Sequence, residues 1–299
     1  MFEKMRAGYR AADIVKKLIY INVAVYIILV FIAVFCRLFN EPGVAVDVKR
    51  WLELPASVPM LLHRPWTLFT YMFLHADVMH ILWNMFALYV FGSLFLNSFS
   101  VRHFVGVYLL GGVVGALFFV LAYNIFPYFA DVVNVSYLVG ASASVLAIVT
   151  ATAVRNPNCR INLLLIGNVK LSTFALITVL ISLFMLSGSN AGGNFAHIGG
   201  AAAGALFAFM LGRGVDFTAL LNGALDWVAG LAKRFRQKRQ KGPKFTAAKG
   251  GRASDYEYNA RKKASDDEID RILEKIKRGG YASLSDEEKR RLFDASSRK

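Results

Sequence analysis

The sequence predicts an all-α membrane protein: a six-transmembrane-helix bundle followed by a small α-helical tail. Three observations carry this. The 299 residues are 56% hydrophobic, above the roughly 45–50% of ordinary soluble domains, and the mean hydropathy is +0.45. Apolar runs of helix length recur along the first two-thirds of the chain. The formal charge of +15 is concentrated, since residues 233–299 hold 21 Lys/Arg against 11 Asp/Glu, two-thirds of the excess. A basic tail after apolar spans reads as a cytoplasmic segment contacting anionic lipid, and nucleic acid is not expected as a partner. Cys36 and Cys159 fall near opposite membrane faces in this topology, too far apart for a disulfide. No Cys/His cluster offers a zinc site, and no cofactor is implied.

Residues 1–17 form a basic N-terminus with five Lys/Arg before an apolar run from Leu18 to about Phe35. The run is too long for a signal peptide and lacks a small-residue cleavage pattern, so it predicts an uncleaved span with a cytoplasmic N-terminus. Residues 37–65, rich in Pro, charge, Trp51 and Leu, read as a long loop at the bilayer interface. A second span runs from about Asp77 to Leu96, with His80 and Asn84 one turn apart on one face. The third, from Phe104 to about Tyr123, carries Gly106, Gly111, Gly112 and Gly115, which suit close helix packing.

The fourth span, from Leu138 to about Val154, carries Ser142 near its start. The semi-apolar INLLLIGNVK leads to a fifth span, Leu171 to Leu186, and residues 187–194 (SGSNAGGN) read as a flexible loop. In the sixth span, Ala196, Gly200, Gly204 and Ala208 form a ridge of small residues. Ala143, Ala147 and Ala151 form a matching ridge on the fourth, so these two helices are natural partners.

With a cytoplasmic N-terminus, spans two, four and six run from outside to inside. His80, Asn84, Ser142 and His197 all lie near the starts of those spans, at similar depth toward the outer leaflet. Polar residues inside a membrane are costly, which makes function the default reading for them. A serine hydroxyl needs a base to take its proton, and histidine suits that task. Attack on an amide creates an oxyanion, for which the Ser142 N–H and the His80 and Asn84 side chains are available donors.

These residues resemble the rhomboid intramembrane serine proteases over roughly residues 15–213. The resemblance rests on the His75, His80, Asn84 pattern, on the GxSx segment at Gly140–Ala143, and on AHxxG at Ala196–Gly200 continuing to Gly204. It implies an endopeptidase acting on transmembrane protein substrates. Ser142 would be the nucleophile, His197 the general base, and His80, Asn84 and Ser142 the oxyanion hole. Gly140, Gly200 and Gly204 would serve helix packing, and the fifth span with the loop after it would gate substrate entry. Three positions depart from the family pattern. Ala143 replaces a glycine, its added methyl narrowing the oxyanion region. Leu146 replaces an aromatic, and Thr67 replaces an arginine, so the outer loop needs another anchor. Ser144 lies about 200° around the helix from Ser142 and cannot share its face.

The membrane domain is expected to span residues 18–213. Residues 214–252 are expected to hold an interfacial helix and a basic linker, and 253–299 a small cytoplasmic helical domain. That domain shows capping-box patterns at Ser265–Glu268 and Ser285–Glu288, with Gly279 and Gly280 as a stop. Its small size points either to a cytoplasmic partner or docking surface or, equally, to a merely solvated tail. The short loops favour a bacterial inner membrane. Two other classes compete: a silent relative that binds transmembrane helices, and a solute transporter. The transporter would show internal repeats or mid-membrane acids, and neither occurs in the sequence.

Overall fold

The computed structural model describes residues 11–163, 167–227, 230 and 252–296. They fall in two units, Met1–Lys233 and Arg234–Lys299. Among the described residues of the first unit, four helices are long and apolar enough to cross a membrane: α1 (Ile14–Leu38), α5 (Val78–Leu96), α6 (Val101–Ile125) and α9 (Ala191–Leu211). Two apolar helices are shorter, α7 (Ser142–Arg155) and α8 (Leu171–Phe184), at 14 residues each. Fourteen residues rise about 21 Å, less than the ~30 Å of hydrocarbon.

The shortness of α7 corrects the expected helix start at Leu138. Tyr137–Leu138 is a strand (β2), pairing antiparallel with Leu54–Pro55 (β1) in the register Leu54↔Leu138. Gly140 then takes φ +127, which a helix cannot accommodate, so α7 begins at Ser142. Extended backbone at this depth is tolerable because protein surrounds it: Leu138 and Ala141 are buried, and Gly140 N–H donates to the Tyr71 carbonyl at 3.0 Å.

Residues 37–65, expected as a loop, are folded into α2 (Pro42–Arg50), β1 and α3 (Val58–His63). Pro42 and Pro59 stand in the first turns of the two helices, where proline lacks only an N–H that would be unpaired anyway. The short helix α4 (Thr67–Thr70) follows. With threonine at 67, the anchor is a Trp pair. Trp51 and Trp66 stack with centroids 5.4 Å apart, Trp66 Nε1 donates to Trp51 O at 2.8 Å, and Arg64 donates to Arg50 O at 3.2 Å.

Helix α7 lies among the others, and every residue from Ala143 to Ala153 is buried. It packs most extensively against α9, then α6. At Gly200 and Gly204 of α9, an added Cβ would collide with the Ala143 and Ala147 carbonyl oxygens. Thr150 Oγ1 reaches across to Ala201 O at 3.0 Å. The β3 (Arg160–Leu163) and β4 (Gly167–Lys170) strands form a hairpin where the sequence suggested only a semi-apolar stretch.

Helix α9 begins at Ala191, four residues earlier than the expected sixth span, so the second half of SGSNAGGN is helical rather than loop. Glycine is a poor helix former, but packing overrides the preference. Gly192 abuts Phe119, and Asn194 Nδ2 donates to Met185 O at 2.8 Å.

Residues 218–227 form a further helix, α10. Thr218 is fully buried beside Gly106 of α6, Asn222 donates to Arg102 O at 3.2 Å, and Arg102 pairs with Asp226. In the second unit α11 (Arg252–Gly279) runs continuously through Ser265–Glu268, so no cap forms there; residues 252–264 contain neither Pro nor Gly to stop the helix. Gly280, at φ 70, ends it, with its N–H on Ile276 O at 2.9 Å. The second box does form, at the start of α12 (Asp286–Ser296). Ser285 N–H donates to Glu288 at 2.7 Å and Glu288 N–H to Ser285 Oγ at 3.3 Å. Most of the basic linker lies outside the described residues.

Candidate active site

Ser142 is the first residue of α7, where helix geometry leaves the leading N–H groups without intrahelical acceptors. His197 stands in the second turn of α9, held against α7 by the glycine contacts. Ser142 Oγ and His197 Nε2 are 2.8 Å apart.

His80 comes from the first turn of α5. Asp77 caps this helix, accepting His80 N–H at 2.8 Å. The Ala76 N–H donates to His80 Nδ1 at 3.2 Å. A neutral imidazole whose Nδ1 accepts must carry its proton on Nε2. That Nε2–H borders the serine: a Cβ built on Gly140 would lie 2.9 Å from His80 Nε2 and 3.7 Å from Ser142 Oγ. Gly140 therefore faces His80 and is not a helix-packing residue, because it lies outside α7 on a left-handed backbone. Asn84, one turn on, gives one amide hydrogen to His80 O at 2.9 Å, leaving the other free to donate among the described residues. His75 is buried with its ring edge-on to His80, centroids 5.2 Å apart.

A cavity of about 220 Å³ opens onto these groups, lined by Ser142, His197 and Asn84 together with Trp83, Phe91, Leu146, Phe174 and Thr178. Phe91 of α5 and Phe174 of α8 stack across one side, centroids 5.2 Å apart. A larger cavity, about 600 Å³ around Asn97, Ser100, His103 and Arg155, contains none of the predicted site residues.

Ala143 does not narrow the site. Its methyl faces Gly115 of α6, where a Cβ would lie 2.7 Å away, so it points off the serine's face. Ser144 is buried beside Gly111 of α6, also off that face. Sequence reasoning missed Ser182, whose Oγ lies 3.3 Å from His197 Nδ1. The signal was available, as Ser182 is a polar residue inside an apolar span. It also missed the Ala76 N–H, which no side-chain pattern reports.

A half-buried serine–histidine pair beside an imidazole N–H and a primary amide is an arrangement suited to acyl transfer. The family pattern described as Rhomboid domain matches residues 62–214, just over half of the chain. A family of unknown function (DUF6576) matches residues 253–298. No curated protein matches the chain. The first of these matches takes in Ser142, His197, His80 and Asn84 alike, and by it the chain is an integral membrane protein that belongs to the rhomboid family.

Proposed function

We propose that this chain is an intramembrane serine endopeptidase that hydrolyses peptide bonds in or near the transmembrane segments of membrane proteins. The observation that carries this reading is the 2.8 Å contact between Ser142 Oγ and His197 Nε2 at the wall of the cavity. Ser142 Oγ attacks the scissile carbonyl carbon as His197 Nε2 takes its proton. The carbonyl oxygen becomes an oxyanion, accepting from His80 Nε2–H, the free Asn84 amide hydrogen and the Ser142 N–H. His197 then protonates the leaving amine, and water repeats the sequence to release the acyl group.

Both termini are cytoplasmic in this reading and the active site opens toward the other face of a bacterial inner membrane. The basic tail contacts anionic lipid, and the C-terminal helices dock a cytoplasmic partner. A silent helix-binding relative would be favoured by an oxyanion region narrowed by the Ala143 methyl, and that methyl is turned toward Gly115 instead.

The test is cleavage of a labelled single-span reporter in liposomes by the native chain, Ser142→Ala and His197→Ala. Cleavage by the native chain that disappears in both variants supports the reading. Unchanged cleavage by Ser142→Ala refutes it, and reporter binding without cleavage by the native chain establishes the silent alternative.

A further inference from the structure

His197 touches a second hydroxyl. Its Nδ1 lies 3.3 Å from the Oγ of Ser182, a side chain on α8 that is only 2% exposed. A serine has one hydroxyl proton, and that of Ser182 is engaged, because Oγ donates to the Thr178 carbonyl one turn back at 3.0 Å. Toward the imidazole, Ser182 is left as an acceptor. Only a protonated Nδ1 satisfies it, since an unprotonated Nδ1 would set two lone pairs against each other. A neutral imidazole carries a single N–H, so a proton on Nδ1 leaves a lone pair on Nε2, facing the Ser142 hydroxyl.

We propose that Ser182 is a positioning residue that holds His197 in the Nδ1–H tautomer, the form able to accept the Ser142 proton. The inference rests on the base role proposed above for His197. In triads a buried carboxylate does this work; here a neutral hydroxyl does it. Ser182 is the one hydrogen-bond partner of Nδ1 among the described residues, and no aromatic ring stacks on the imidazole there. The other histidine of the site is set the opposite way. Ala76 N–H fills His80 Nδ1 and leaves Nε2 as a donor. One backbone donor and one side-chain acceptor thus divide two identical side chains into a base and an oxyanion donor. Ser182 also shares α8 with Phe174 and Thr178 of the cavity wall, so a shift of α8 that admits substrate also moves the group orienting the base.

The test combines two readouts on the full chain in detergent or nanodiscs. Nitrogen-15 histidine NMR, with the His197 signals identified by their loss in His197→Gln, reports the tautomer directly. The native chain and Ser182→Thr are expected to show Nδ1–H, while Ser182→Ala shifts toward a mixture with Nε2–H. In reporter cleavage, loss of one neutral hydrogen bond is expected to lower kcat about tenfold in Ser182→Ala, with KM within about twofold and most of the rate restored in Ser182→Thr. An unchanged His197 tautomer in Ser182→Ala, or equal losses of kcat in both variants, overturns the proposal. The readouts separate the two readings. A tautomer that follows Ser182 in a chain that cleaves nothing supports the positioning role and sinks the protease reading. Cleavage that needs Ser142 and His197, with a tautomer indifferent to Ser182, does the reverse.

Discussion

Gly140 shows how much of the site turns on single atoms. Its backbone sits at φ +127 and a Cβ there would lie 2.9 Å from His80 Nε2, so Gly140→Ala faces backbone strain of about 1–3 kcal/mol and displaces the His80 donor. Because the strain is confined to the turn before α7, the variant is expected to retain its helical content in circular dichroism. Its kcat for reporter cleavage is expected to fall about 100-fold, the usual effect of losing one oxyanion donor. Full activity in Gly140→Ala would mean that His80 does not meet the reaction's oxyanion.

At the scale of the element, α7 and α9 approach until backbone meets backbone. A Cβ at Gly204 would collide with the Ala147 carbonyl oxygen, and backbone cannot move aside as a flexible side chain would. Gly204→Ala is therefore expected to destabilise the folded chain by about 3 kcal/mol, the upper part of the usual overpacking range, seen as a lowered Tm in detergent. Helix α8 is held differently. Only Leu171, Ala175 and Ser182 are buried along it, which places it among the more easily displaced elements. Its Phe174 ring stacks on Phe91 across the cavity. An aromatic pair contributes about 0.5–1.5 kcal/mol, so Phe174→Ala is expected to raise kcat/KM up to about tenfold if opening between α5 and α8 limits entry. A lower kcat/KM with unchanged kcat would instead make Phe174 a substrate contact.

Across the molecule, the two units answer to different physics. In the second, Glu288 receives the Lys275 ammonium at 2.8 Å and the Ser285 N–H at 2.7 Å. These hold its carboxyl down to about 2, below its ordinary 4.5. A depressed carboxylate stabilises the fold fully above its unfolded pKa and stops doing so as pH falls through the folded value. The helix pair α11–α12 is thus expected to loosen from about pH 4.5 downward, with the loss complete below about 2. NMR of the full chain would show this as a midpoint near pH 2 for the Glu288 side chain, absent in Glu288→Gln.

The sequence made the helices legible where hydrophobic length decided them, and it made Ser142, His197, His80 and Asn84 legible because polar groups are conspicuous in apolar spans. It did not reveal where α7 begins. The run from Leu138 is as apolar as the helix after it, and only the pairing with Leu54 and the backbone at Gly140 exclude Leu138 from the helix. The direction of the Ala143 methyl was hidden for the same reason, since it follows from the helix phase against Gly115. The break expected at Ser265 failed because a capping pattern marks a start only where the residues before it are not already helical.

The measurement that bears most directly on the account is covalent labelling of the native chain in liposomes with a fluorophosphonate, which reacts with serines whose hydroxyl is activated by a base. Mass spectrometry of the labelled chain is expected to find one adduct, on Ser142, absent in Ser142→Ala and slowed by about 100-fold or more in His197→Ala. An adduct on Ser144 or elsewhere, or labelling of Ser142 at the same rate without His197, would contradict it.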